Sequence, residues 1–535
     1  MAGDEAMPLN LKRRVWAAFG REVLWQNLTL VFCVLFGLAL IANTQTAGDG
    51  GWFWYATLLH GGRRLYADMH LALQPLFVLE TASLLALLGK GWLVSKAPAV
   101  LHVAAYCIGL LLVARSSKLP DRQKALVLAC AFFVSIDFEA YRFDDYHVLA
   151  DCFQVYSLVA LLKLERTHGA WRSVGLAAAL GVLSGLSLMT RLNDGAALFV
   201  GVAIAILCMA HSRRAISLAL FSVAAGLTVL LVVRMTGDSL HDWAMYSIFH
   251  AAGSKGGTGN VLAYPLRLPW NTMKFLRQRK SFGFAVYCLG AAAIWAGLIR
   301  PFRPSRRAAG LWKPGLGVVL ILLPLHHFLG FLLDANVLVV LSAVGVLVAY
   351  GLGVAVFVRF LRWRFAPGKM QTWNRREILL LIPLGQLASG AMSSGAEHIG
   401  LYGPIGMLIL LLPIASPIRL KSGTARAFAL AVVAILAVHC ATYKYRYPYI
   451  WHSYAASQMF TGRQWTMHPD YGPMIIEREE LKFIDRSARQ SRRMAPRRNC
   501  CRCLCRIPTT SAPLSRGTDM CRRSSIPPAR RRSRG

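Results

Sequence analysis

Charge is scarce in this chain. Asp, Glu, Lys and Arg supply 16% of its 535 residues, against about 25% in a soluble domain. Hydrophobic residues supply 56% and the mean hydropathy is +0.45. These values exclude an ordinary water-soluble protein. Acidic residues are scarcer still, 25 against 60 basic ones, giving a net charge of +35. That excess does not argue for a nucleic-acid partner, because the basic residues gather in short loops between apolar runs, as the positive-inside rule requires. Alternating strands of about ten residues are missing, which excludes a transmembrane β-barrel. No small-residue cleavage site follows the first apolar run, so that run reads as a retained span.

Apolar runs recur from residue 24 to residue 443. Several approach the roughly 20 residues that cross a bilayer as helix, and in lipid the backbone must bond within its own segment. The expected fold is an all-α polytopic membrane protein of about thirteen transmembrane helices, with outer-face loops and juxtamembrane helices. Spans are expected near 24–43, 97–114, 125–137, 149–163, 173–190, 195–211, 215–233, 283–299, 315–333, 336–358, 378–394, 403–418 and 427–443. The apolar piece 75–89 is short and reads as an interfacial or re-entrant helix. With that choice "RSSKLPDRQK", "KLERTHGAWR", "HSRR", "RPFRPSRRAAGLWK", "RFLRWRFAPGKMQTWNRR" and "RLKSGTAR" all fall inside. The N-terminus (1–23) is then cytoplasmic, the membrane domain covers 24–443, and 444–493 forms an outer C-terminal segment with an amphipathic helix from about 474.

The remaining polar residues then collect on the outer face. The first outer loop (44–96) holds Asp49, Tyr66, Asp68 and His70. The second (137–148) holds Asp144, Asp145 and His147. "RLNDG" carries Arg191, and "GAEHIGLYG" carries Glu397 and His398. The long loop 236–282 is basic, with Lys255, Arg267, Lys274, Arg277, Arg279 and Lys280. It reads either as an amphipathic helix on anionic lipid or as a clamp for a lipid phosphate. Each acid taken alone reads as a solvated loop residue, and the Trp52–Tyr55 aromatics as an interfacial belt. Their coincidence on one face points to a site. His326 and His327 lie within a span, where a His pair either functions or packs helices.

The order of "LYADMHLALQPLF", a second acidic loop and "GVLSGLSLMTRLNDGAAL" resembles the GT-C superfamily of polyprenyl-phosphate-sugar-dependent glycosyltransferases, in its protein-mannosyltransferase and aminoarabinose-transferase branch. Asp49 sits where that family has the first acid of its loop. Tyr66 and Asp68 match a following Tyr-x-Asp, Pro75 a proline near the next helix, and Arg191 the Lys that closes a Gly-Leu-x-x-x-Thr-Lys segment. The resemblance implies a membrane glycosyltransferase, usually inverting, acting on the outer face of a bacterial inner membrane. Asp49 would serve as general base, with Asp145 and Asp144 as the next candidates. Tyr66, Asp68, His70, His147, Arg191, Lys255, Arg267, Lys274, Arg277, Glu397 and His398 would bind substrate. The partners implied are a polyprenyl-phosphate-linked sugar, an acceptor protein, lipid or glycan, and membrane lipids. Gly50 stands where the family has the Glu of an Asp-Glu pair, so a divalent metal stays open as a cofactor with half of its expected site missing, and no other cofactor is implied. A transporter or flippase of lipid-linked sugars is the alternative, although no clear internal repeat favours it. A polysaccharide polymerase or ligase is a third reading.

Residues 491–535 hold thirteen Arg, no Lys and one Asp, which is +12 of the +35. Five of the twelve Cys lie there (500, 501, 503, 505, 521), without paired C-x2-C elements or His for zinc. Segment 494–535 reads as the product of a shifted reading frame or as a disordered basic tail.

Overall fold

The computed structural model describes residues 23–43, 50–89, 94, 96–138, 146–209, 213–254, 263, 266, 267, 269–274, 347, 350–361, 375–394, 403–415, 463–468, 472–477, 482 and 485. The chain divides into two units, Met1–Glu477 and Arg478–Gly535. Of the second, Lys482 and Asp485 are described, both in helical conformation.

Among its described residues the first unit is helical apart from one hairpin. Its helices are α1 (Leu24–Asn43), α2 (Gly50–His60), α3 (Leu76–Leu88), α4 (Ala97–Arg115), α5 (Asp121–Phe138), α6 (Tyr146–Arg166), α7 (Ala170–Thr190), α8 (Leu192–Met209) and α9 (Arg214–Met235). A short helical hook follows, made of α10 (Leu240–Ala244), a π-helical turn (Met245–His250) and α11 (Ala251–Ser254). After an apolar helical stretch, Tyr350–Leu361, a 3-10 turn (Arg375–Leu380) leads into α12 (Leu381–Ser394), and α13 (Gly403–Ala415) comes next. Among the described residues, α1, α4, α6, α7, α8 and α9 are long and apolar enough to cross a membrane. Each coincides with an expected span. These helices make the chain an integral membrane protein. α5 also matches an expected span, but its first turn carries Asp121, Arg122 and Lys124. The expected spans near 283–299, 315–333 and 427–443 lie outside the described residues.

Polar bonds at helix termini fix the packing directions. Arg115, at the end of α4, donates to Asn27 Oδ1 (2.9 Å) and Gln26 Oε1 (3.3 Å) at the start of α1. Gln26 in turn donates to Asp121 at the start of α5. Arg166, ending α6, donates to the Ser116 carbonyl at 3.1 Å. Arg376 donates to Glu165 at 2.8 Å, and Arg213 lies 5.1 Å over the Trp171 ring. All these residues therefore share one end of the bundle, which is the end with basic loops. α1 and α4 run antiparallel, so the chain between them leaves and re-enters at the opposite end. α2 (11 residues) and α3 (13 residues) both belong to that excursion.

The core joins α1, α4, α5, α6, α7, α8, α12 and α13, with Phe132, Phe133, Leu158, Leu161, Leu180 and Ile206 fully enclosed. Phe36 meets Phe133 edge-on at 5.0 Å. Outward-facing Leu35, Leu227 and Leu231 stay about 60% exposed. In a helix of this length such an apolar surface is suited to lipid.

Two helices approach unusually closely. Gly181 and Gly185 on α7 form a Gly-x-x-x-Gly pair, the small-residue spacing that lets membrane helices pack backbone to backbone. A Cβ at Gly181 would strike the Phe221 carbonyl and, at 2.8 Å, the Ala224 Cβ of α9. One at Gly185 would meet Thr228 Cβ at 2.7 Å. This pair lies inside the "GVLSG" of the family-like segment, where its packing role went unread.

The tail of the unit corrects one expectation. Where an amphipathic helix was expected from about 474, the chain forms strand β2 (Gly472–Glu477), antiparallel to β1 (Arg463–His468), with Trp465 opposite Ile475 and Gln464 opposite Ile476. The adjacent β-branched Ile475 and Ile476 favour extended backbone.

The glycine contact generates a prediction. Gly181→Ala should destabilise the protein by about 1–3 kcal/mol through overpacking. Gly226→Ala, where a Cβ meets nothing within 4 Å, should be neutral or gain up to about 1 kcal/mol of helix propensity. Thermal unfolding of the two variants in detergent checks this; equal melting temperatures would contradict the packing.

Candidate functional site

At the end opposite the basic loops, the first excursion is held by a distant segment. α9 stops at Thr236, whose hydroxyl donates to the Val233 carbonyl at 2.7 Å. Gly237 then takes a left-handed φ of +75°, which costs glycine little. This turn delivers Asp238, 4% exposed. Its carboxylate accepts the backbone N–H of Ala67 at 2.9 Å and of Tyr66 at 3.2 Å. Ser239 next caps α10, accepting from the Asp242 amide at 3.0 Å.

Further bonds close this clamp. Trp243 Nε1 donates to Gln74 Oε1 at 2.9 Å. The π-helical turn carries Tyr246, whose ring lies 4.6 Å from that of His70. π-helical turns recur at functional sites. Leu65, Tyr66, Leu71, Val78 and Leu85 form a small separate core beneath, with Trp243 and Tyr246 packed on it.

The expected site residues of this segment take up defined places. Tyr66 is fully buried and donates its hydroxyl to the Leu73 carbonyl at 2.9 Å. In this arrangement it supports the clamp from within. Asp68 is solvent-facing and accepts the Arg64 amide at 2.9 Å and its guanidinium at 3.2 Å. Those bonds hold its carboxyl below the usual range. His70 adopts a left-handed φ of +53°, rare for a residue with a side chain. Its Nδ1 sits 3.1 Å from the Tyr66 carbonyl.

A second polar set runs through the bundle. Arg191 was expected in an open outer loop. It is instead the single residue between α7 and α8, 6% exposed, and ion-paired to Asp194, which is 2% exposed. The reason is the tightness of the turn. A Cβ at Gly195 would strike the backbone of Leu188, so α8 starts hard against the end of α7. Ser389 of α12 donates to Asp194 at 2.8 Å, and Gln386 donates to Asp151 of α6 at 2.9 Å. His102 of α4 approaches both oxygens of Glu80 on α3, at 3.0 and 3.1 Å. His147 is likewise helical and buried in the first turn of α6. The expected loop 137–148 is therefore shorter than its sequence indicated.

Arg267 and Lys274 are exposed on a helical stretch that also exposes Leu266, Trp270 and Met273. Asp49, Asp144, Asp145, Lys255, Arg277, Glu397 and His398 lie outside the described residues, as do His326 and His327. Among the described residues, no group of three or more His, Cys, Asp or Glu could hold a metal. Sequence reasoning missed Asp238, Glu80, Asp151 and Asp194. For three of them a signal existed: an acid inside an apolar run is costly and marks a role. For Asp238 the signal was "TGDS", a helix stop followed by a cap.

No family model and no curated protein sequence matches the chain. Two solved structures are similar to it. One is the Archaeoglobus fulgidus oligosaccharyltransferase tethered to an acceptor peptide with the NVT sequon (TM-score 0.42, 13% identity). The other is the oligosaccharyltransferase AglB from the same organism, in complex with an inhibitory peptide and a dolichol-phosphate (TM-score 0.40, 16% identity). In both cases the match covers 81% of this chain and 56% of the other, so the chain spans little more than half their length.

Two predictions come from the clamp. Asp238→Ala removes both acceptors, each worth about 1.5–3 kcal/mol as a charged hydrogen bond. The Tyr66 and Ala67 amides should then exchange with deuterium faster, while Asp238→Asn, which keeps one acceptor oxygen, should fall between. Unchanged exchange in both variants would mean that the segment holds itself. Burial, and secondarily the Asp238 charge, pushes the Tyr66 phenol well above its ordinary value. The stability of the neutral buried phenol is thus complete below pH about 10 and is lost as pH rises through the higher folded-state value. Melting temperatures recorded above pH about 10 should decline more steeply for the native protein than for Tyr66→Phe.

Proposed function

We propose that the protein is a membrane glycosyltransferase that moves a sugar from a polyprenyl-phosphate donor to an acceptor hydroxyl or amine. The observation that carries this reading is a cavity of about 620 Å³ where α9 meets the clamp. Leu227, Leu230, Leu231 and Val233 line one part of it, and Arg234, Asp238 and Ser239 another. A polyprenyl chain suits the leucines, which also face outward from the bundle. Arg234 supplies the cation that a lipid phosphate needs. Asp238 joins the cavity to the segment 64–75.

In this reading the acceptor attacks the anomeric carbon as the bond from that carbon to the phosphate oxygen breaks. The acceptor proton passes to a carboxylate base, Asp49 first and Asp145 or Asp144 next. The lipid phosphate departs with the bonding electrons, and Arg234 stabilises its growing charge. Arg267 and Lys274 are further candidates for phosphate binding. Attack from the side opposite the leaving group inverts the anomeric centre.

The acids and amides within the bundle, Asp151 with Gln386 and Asp194 with Arg191 and Ser389, favour a second reading, transport of a lipid-linked sugar. Intramembrane ionisable groups often line substrate paths.

One assay separates the two. Purified protein in nanodiscs is offered radiolabelled polyprenyl-phosphate sugars and membrane extract as acceptor. Transfer should occur, and should fall by about 100-fold or more in Asp49→Asn. In Arg234→Gln, kcat/KM for the donor should fall about tenfold or more. Transfer that survives in Asp49→Asn moves the base to Asp145 or Asp144. Folded protein that transfers from no donor favours transport.

A further inference from the structure

The opposite end of the bundle holds a second cavity, of about 550 Å³. Its size lies within the roughly 300–1,000 Å³ of small-ligand sites. Lys163, Arg166 and Thr167 come from the last turn of α6 and the link beyond it; Arg172, Gly175 and Leu176 come from the first turns of α7. On each helix these residues recur at i, i+3 and i+4, so two faces converge on one space. A Cβ at Gly175 would meet nothing within 4 Å, which leaves that wall open.

We propose that this cavity binds the headgroup phosphate of an anionic phospholipid. Among the described residues three cations line it, and no carboxylate does. Glu165, next to the cavity in sequence, is engaged by Arg376 at 2.8 Å. Arg166 is anchored through the Ser116 carbonyl, which keeps its guanidinium in place. Lys163 and Arg172 are exposed and have no ion-pair partner among the described residues. Three cations within one cavity repel one another, and an anion relieves that repulsion.

Two observations favour a lipid over a free anion. The cavity sits at the ends of α6 and α7, both long and apolar enough to cross a membrane, with Leu176 as its apolar wall. Trp171 beside it is 77% exposed and bears Arg213 on its face. That is the amphipathic arrangement found at the headgroup level. A phosphate there would accept from the cations while its acyl chains follow the apolar flank of the helices. Basic pockets between helices at the cytoplasmic side are suited to such headgroups. The site does not depend on the glycosyltransferase reading.

The test is native mass spectrometry of the detergent-purified protein with phosphatidylglycerol, phosphatidylcholine or inorganic phosphate added. The doubly neutralised variant Lys163→Gln/Arg172→Gln alters two exposed side chains. Lys118→Gln, an exposed cation at the same end of the bundle outside the cavity, is the control. The native protein should retain phosphatidylglycerol in preference to phosphatidylcholine. Each removed charge should weaken retention about fivefold, so the double variant should lose it by more than tenfold while Lys118→Gln keeps it. Equal losses in the control, equal retention of phosphatidylcholine, or displacement of the lipid by comparable inorganic phosphate would each overturn the proposal.

Discussion

Lipid gives apolar helices little reason to associate, because acyl chains are as apolar as leucine. What holds this bundle together must be close contact between backbones and a few well-placed polar bonds. Gly181 and Gly185 supply the first, bringing α7 and α9 so near that a methyl group would collide with Phe221, Ala224 and Thr228. The segment directly after α9 inherits that position. Thr236 and Gly237 end the helix, Asp238 emerges at a fixed height, and its carboxylate captures the Tyr66 and Ala67 amides. The cavity at the clamp lies between these steps, so its shape is set by two glycines on a helix that does not line it.

The polar bonds follow a division of labour between the bundle's ends. At one end, Arg115, Asp121, Arg166 and Arg376 join helix termini to one another. These cations sit at the ends of apolar helices, a placement that suits a surface meeting lipid headgroups. At the other end the bonds involve buried carboxylates, Asp238 at 4% and Asp194 at 2% exposed. There a carboxylate and an indole hold a loop, and Arg191 in a one-residue turn pairs with Asp194 in the first turn of α8. Removing either member of such a buried pair costs about 3–5 kcal/mol, since the other is left uncompensated.

The long apolar runs were legible because their signal is simple: length and hydrophobicity suffice, and α1, α4, α6, α7, α8 and α9 all fall where expected. Loop character was less legible. "RLNDG" has the composition of a turn, yet Gly195 allows α8 to begin against α7 and draws Arg191 inside. "YADMH" carried the residues of a binding loop, yet Tyr66 is consumed by the support of that loop. The key partner, Asp238, stands 172 residues away from Tyr66, and local pattern carries no information about such a pairing. At 474 the miss was local: the β-branched pair Ile475 and Ile476 favours a strand, and its partner strand lies just before it in sequence.

The bond from Gln386 to Asp151 spans 235 positions, and this has a consequence for biosynthesis. At about 5–20 residues per second, the carboxylate of Asp151 emerges from the ribosome on the order of ten to fifty seconds before the amide that will bind it. The same is true of Asp194, which waits for Ser389. Through that interval the early helices hold acids whose later partners do not yet exist. α12 therefore completes the bundle late, adding its bonds to an α6 helix and to an α8 carboxylate that Arg191 already pairs.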